Sequence, residues 1–143
     1  MKLVTICIEL SKTSNQYVPG KCNIGTRGRA MRLTTGLLLI ALSLVLRFTL
    51  LNYVNRLFSL TLVIPAYIGF LTILEGSMSF CVLHAARGTY DMSEPGGLPR
   101  RGSGTLTTVQ SEEWKKVDRR KARLMHLEAA AAGIVLAVLL ALA

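Results

Sequence analysis

Charge is scarce in this sequence, and acid is scarcer. Only 17% of the 143 residues are Asp, Glu, Lys or Arg, against roughly 25% in a typical soluble domain. Aromatic residues make up 6%, with a single Trp. The apolar mass is therefore Leu, Ile, Val and Ala, and it is clumped into runs. The three cysteines, Cys7, Cys22 and Cys81, are odd in number with no short-range pair. That excludes a disulfide framework of the secreted type, and the absence of CxxC spacing excludes a cysteine metal site. No P-loop pattern accompanies the glycines, and no His/Asp/Glu cluster suggests a reaction. We therefore expect no catalytic residues, no metal ligands and no cofactor. The short apolar run Leu3 to Leu10, broken by Glu9, lacks the core and cleavage site of a secretory signal.

Two long apolar runs organise the rest. LTTGLLLIALSLVLRFTLLNYV, about residues 33–54, is long enough at 1.5 Å per residue to cross a ~30 Å hydrocarbon core. After a short NRLFS break, a second run extends over about residues 60–84, with Pro65 in its first turns, where a missing amide is tolerated. Together they predict a transmembrane helical hairpin. Residues 1–22 are expected to be a flexible leader, and residues 89–110, crowded with Pro and Gly, a linker. Residues 111–127 read as a basic amphipathic helix, with Ser111 as cap and Trp114, Val117, Lys121 and Leu124 at helical spacing. This helix leads into a third transmembrane helix over about residues 124–143, or else into a membrane-embedded end that helps the hairpin associate. The expected fold is thus an all-α integral membrane protein.

Fifteen of the 17 Lys and Arg residues lie outside the first span and its turn, which hold only Arg47 and Arg56. By the positive-inside rule the N-terminus and the 85–123 segment are cytoplasmic. Arg27, Arg29, Arg32, Lys115, Lys116, Arg119 and Arg120 are expected to meet anionic lipid headgroups. With no aromatic-and-basic binding surface, nucleic acid is not an expected partner despite the net charge of +9. Arg47 is expected to snorkel to the outer interface.

In the second run, Gly69, Thr72, Gly76 and Ser79 recur at offsets of three and four, a small-residue stripe suited to close packing in lipid. Glu75 sits beside it. A tight hairpin centred near residue 57 puts Glu75 about 11 Å along the axis from Arg47, which argues against pairing them. Glu75 is expected instead at a helix interface or against an oligomer partner. An intramembrane carboxylate is a functional candidate. So are Cys81 and Cys22, which the hairpin brings to the same side.

The stretch NIGTRGRAMRLTTG, with Asn23, Gly25, Arg29, Arg32 and Gly36, resembles the opening of small bacterial membrane domains of the DUF2892 type. That module is also found as the membrane hairpin of an inner-membrane rhodanese. Gly69, Gly76, Cys81 and Gly88 are similar to the glycine-rich second helix of that family and its cysteine-then-glycine ending. Two positions depart from the pattern: Gly28 stands where the family has an acid, and Val82 where it has proline. The resemblance covers residues 23–88 and implies a two-helix module of a bacterial inner membrane, often dimeric, with no activity established for the module itself. No rhodanese-like active-site loop is present, so sulfurtransferase activity is not implied. The expected function is a small structural or accessory membrane protein that oligomerises or joins a larger complex. The alternative is a thiol- or sulfur-handling protein or small-ion conduit using Cys81, Cys22 and Glu75. An enzyme taking substrate from lipid is a distant third.

Overall fold

The computed structural model describes residues 17–49, 60–91 and 107–142. Among the described residues four helices form: α1 (Thr26–Thr49), α2 (Val63–Ser77), α3 (Val82–Arg87) and α4 (Glu112–Leu142). The two-residue strands β1 (Thr89–Tyr90) and β2 (Thr107–Thr108) pair antiparallel. α2 lies at the centre, packed on one side by α1 and on the other by α4, and α3 packs on α4. Three helical segments among the described residues, Thr26–Thr49, Leu60–Ser77 and Glu112–Leu142, are long and apolar enough to cross a membrane.

The distribution of side-chain size supports that placement. Residues at the helix contacts are small: Gly36 and Ser43 on α1, Ala66, Gly69 and Gly76 on α2, and Ala129, Gly133 and Ala137 on α4. Large apolar side chains point outward, among them Leu37, Leu38, Phe48, Ile64, Leu127, Leu139 and Leu142. In water this arrangement would waste most of the available apolar burial. In lipid it is expected, because close backbone approach, not apolar burial, drives helix association there. The protein is a small all-helical membrane protein.

The contacts are close. A Cβ on Gly36 would lie 2.7 Å from the Gly69 carbonyl oxygen, and one on Gly133 2.9 Å from the Tyr67 nitrogen. The small-residue positions Gly69 and Gly76 thus face α1 of the same chain, Gly76 against Leu33 and Arg29. Thr72 joins them at Gly36.

Several expectations need correcting. Helix α2 ends at Ser77 and does not run to 84, because Ser79 adopts a left-handed φ of 54° that breaks the helix. α3 then starts a new direction and closes at Gly88, whose φ of 65° suits a glycine cap. The expected amphipathic helix and third span are one continuous helix. Its 31 residues make about 46 Å, of which Leu124–Leu142 supplies ~28 Å, close to the hydrocarbon thickness. Trp114, Val117 and Leu124 of the apolar stripe are exposed, which leaves that stripe free to meet lipid, and a different face, Asp118, Ala122, Met125 and the small residues beyond, packs on the chain.

The end of the supposed flexible leader is ordered. Tyr17 donates from its hydroxyl to Asp118 Oδ2 (2.8 Å), and Gly20 N donates to Asp118 Oδ1 (2.6 Å). The Tyr17 ring stacks on Tyr90. Burial, followed by the hydrogen bond to Asp118, pushes the Tyr17 phenol well above its ordinary value. The rest of the leader, the 50–59 turn and most of the linker lie outside the described residues.

Candidate functional site

The polar groups of the membrane domain gather where α1 begins and α2 ends. The segment entering α1 is fixed first. Asn23 N and Ile24 N donate to the Ser79 carbonyl (3.0 and 3.3 Å), Gly25 N donates to the Asp91 carbonyl (2.9 Å), and Asp91 N donates to the Asn23 carbonyl (3.0 Å). The left-handed Ser79 turns its carbonyl toward this strand-like segment. Ser79 therefore serves the turn and is not part of the helical packing stripe.

Asn23 is fully buried and clasps Cys81 from both sides of the peptide. Its Nδ2 donates to the Cys81 carbonyl (3.0 Å), and its Oδ1 accepts from the Cys81 amide (2.6 Å). A primary amide matches this donor–acceptor pair as no carboxylate or hydroxyl does.

Arg32 occupies the centre. Its Nε donates to Glu75 Oε2 (2.8 Å), its Nη1 to the Gly28 carbonyl (3.2 Å) and its Nη2 to Cys81 Sγ (3.0 Å). The second Glu75 oxygen, Oε1, accepts from Val82 N (2.7 Å) at the start of α3. Both carboxylate oxygens are engaged within the chain, and the Glu75 side chain is only 8% exposed. One helical turn away, Arg29 donates from Nε to the Gly76 carbonyl (3.1 Å), capping the end of α2.

Glu75 thus has an intramolecular partner, and that partner is Arg32, expected at the headgroups. The reason is register. Gly36 faces Gly69, so the hairpin midpoint lies near residue 53 instead of 57, and the shift brings the first turns of α1 level with the end of α2. Arg47 does not snorkel outward. It is 3% exposed and donates from Nε to the Leu140 carbonyl (2.7 Å), where its charge meets the negative end of α4.

Cys81 is buried and is a free thiol. Cys22 is buried as well, in the segment that leads into α1. Burial pushes the Cys81 thiol up despite a lowering contribution from the α3 amides and Arg32. His84 accompanies it with Nδ1 at 3.1 Å from Thr89 Oγ1. Its pKa is lowered by burial and then by Arg32, so the neutral imidazole is favoured. Among the described residues no three His, Cys, Asp or Glu side chains come together to hold a metal.

The remaining expected headgroup residues lie on the exposed surface of α4: Lys116, Arg119 and Arg120 are exposed. Lys115 is half-buried, paired with Glu112 (2.6 Å) and packed against Gly88. Arg27 lies in the first turn of α1. Sequence reasoning missed Asn23 as a buried clamp and Asp118 as an anchor. An isolated Asn before a helix carries no signal for a partner 58 residues away. No family model, curated protein or solved structure matches the chain.

Proposed function

We propose that this chain is a structural or accessory protein of a bacterial inner membrane, built to present a rigid three-helix surface to other membrane components. One observation carries the reading: the polar junction spends its capacity internally. Arg32, Glu75, Asn23 and the Cys81 peptide satisfy one another, which makes them a lock between α1 and α2. The small-residue face of α2 is occupied by α1, leaving the lipid-facing large side chains for association with a second copy or a larger complex. The resemblance of residues 23–88 to DUF2892-type domains fits this role, since Arg29, Arg32 and Gly36 tie α1 to α2 and Asn23 ties the segment before α1 to the turn after α2. Light scattering on particles extracted in mild detergent tests the proposal. Particles larger than one chain are expected, unchanged by Cys81→Ser. A monomer at every detergent concentration, with no stoichiometric partner, would overturn it.

The thiol reading keeps one observation in its favour, the Arg32 Nη2 contact to Cys81 Sγ. The two readings part on reactivity. As a packing residue, Cys81 reacts slowly with a membrane-permeant maleimide at neutral pH, and its rate rises only above the ordinary thiol range. Fast labelling at pH 7 would instead favour the thiol function.

A further inference from the structure

Helix α4 carries a second feature that the junction does not use. Arg119, Arg123, His126, Ala130 and Ile134 follow one another at offsets of four, three, four and four, so they line a single face. The upper part of this face borders an open groove of about 340 Å³ between α3 and α4, walled by Val82, Ala86, Arg119, Ala122, Arg123 and His126. The lower part borders a second, almost wholly apolar hollow of about 200 Å³ between α2 and α4, lined by Val63, Ile64, Tyr67, Ala130 and Ile134. The two meet at the Tyr67–His126 pair, where Tyr67 Oη and His126 Nδ1 are 2.6 Å apart. Neither Arg119 nor Arg123 is in a salt bridge among the described residues. Two guanidiniums with free donors thus stand directly above an apolar trough.

We propose that this groove holds one anionic phospholipid, with its phosphate on Arg119 and Arg123 and an acyl chain along the trough below Tyr67. The proportions suit that ligand. Arg123 to Ile134 spans eleven residues, about 16 Å, close to one leaflet of a ~30 Å core. The guanidiniums lie where α4 passes from its charged half to its apolar half, the depth of a lipid phosphate. A planar fork of donors suits phosphate oxygens better than a point charge does. The Tyr67–His126 pair sits at the polar–apolar boundary, where amphipathic rings belong. This site is distinct from diffuse attraction to headgroups, because it calls for charge and shape together on one face of α4. The inference rests on the membrane placement of α2 and α4.

Native mass spectrometry of the full chain, released from nanodiscs of mixed phosphatidylglycerol and phosphatidylcholine, tests it. One phosphatidylglycerol per chain should be retained in preference to phosphatidylcholine. Arg119→Gln with Arg123→Gln should reduce that retention about 30-fold, the loss of two cations each worth ~1 kcal/mol beside an anionic group. Lys116→Gln with Arg120→Gln removes the same charge from exposed positions of α4 outside the groove and should leave retention nearly unchanged. Ala86→Trp, which fills the groove without altering charge, should abolish retention in a chain whose helix content by circular dichroism is unchanged. Equal losses in the two double variants would overturn the site in favour of diffuse attraction. Displacement of the lipid by millimolar inorganic phosphate would overturn the lipid assignment in favour of a free anion. A chain that stays in solution without detergent would overturn the membrane placement itself, whereas a detergent-dependent chain with no lipid preference would overturn only this inference.

Discussion

Arg32 decides how the junction responds to change at the level of single residues. It serves Glu75, the Gly28 carbonyl and the Cys81 sulfur at once, and its side chain is 25% exposed where Glu75 is 8%. Removing either partner therefore has unequal effects. Arg32→Met leaves a buried carboxylate with only the Val82 amide and should destabilise by about 2 kcal/mol, less than the cost of breaking a fully buried pair because solvent reaches the arginine. Glu75→Gln keeps an acceptor for Val82 N and leaves an arginine that can turn to water, so it should cost about half as much. Chemical unfolding in mixed micelles measures both, and a larger loss for Glu75→Gln would contradict this assignment. His84 gives the junction a pH response. Its folded pKa lies below the unfolded value, so the unfolded chain takes up a proton that the folded chain resists. Its contribution to stability is present above the ordinary histidine range and is lost as pH falls through it toward the lowered folded value. Burial sets this direction, with Arg32 and Arg87 adding to it while Asp91 and Glu75 oppose it. Melting temperatures recorded from pH 7.5 to about 5 should fall, and His84→Asn should flatten that fall.

The helices were legible in the sequence where composition alone decides and illegible where register decides. Apolar run length was enough to place three spanning helices, and the offsets of Gly69, Thr72 and Gly76 identified the close-packing face of α2. The same offsets could not say whether that face meets α1 or another molecule, because a small-residue stripe looks alike in both cases. Nor did they reveal that Ser79 leaves the stripe, since a left-handed serine has no sequence signature comparable to glycine. Arg32 read as a headgroup anchor because arginines before a span usually are. Its partnership with Glu75 depends on a hairpin midpoint shifted by about four residues, roughly one helical turn. Two glycines of α1 should respond oppositely to substitution. At Gly36 a Cβ would lie 2.6 Å from Ile73 Cγ1 and 2.7 Å from the Gly69 carbonyl oxygen, and a backbone atom cannot rotate away. Gly36→Ala should therefore separate α1 from α2 at a cost of about 2 kcal/mol. At Gly28 the nearest atom is Arg32 Nη1 at 3.2 Å, the mobile end of a long side chain. Gly28→Asp places a carboxylate in the first turn of α1, which has no acidic residue of its own. It should stabilise by about 1 kcal/mol through the helix dipole and the loss of a helical glycine. Thermal unfolding of the two variants in one detergent provides the comparison, and a destabilised Gly28→Asp would show that Arg32 has no capacity for a second carboxylate.

The whole molecule has a polar end and an apolar end, and its orientation follows from where each element contributes. Residues 17–25, the 78–91 turn with α3, β2 and the first turns of α4 pack together at one end, joined by Asp118, Asn23 and the Ile24–Asp91 bridge. These segments must therefore share one side of the membrane, whichever side that is. At the other end α1 and α4 finish beside each other, with Arg47 capping α4. The excess of Lys and Arg at the polar end favours the cytoplasm, because many residues contribute to it and they lie within reach of the span ends. In a Cys81→Ser background, Glu113→Cys at the exposed start of α4 should resist a membrane-impermeant maleimide in intact cells and react after lysis. Leu142→Cys, 73% exposed in the native chain and at the opposite end of the same helix, should show the reverse pattern. Labelling of Glu113→Cys in intact cells would place the polar end outside and overturn the charge count. Identical behaviour at both positions would mean that α4 does not cross, since its 31 residues put those two sites more than a hydrocarbon thickness apart.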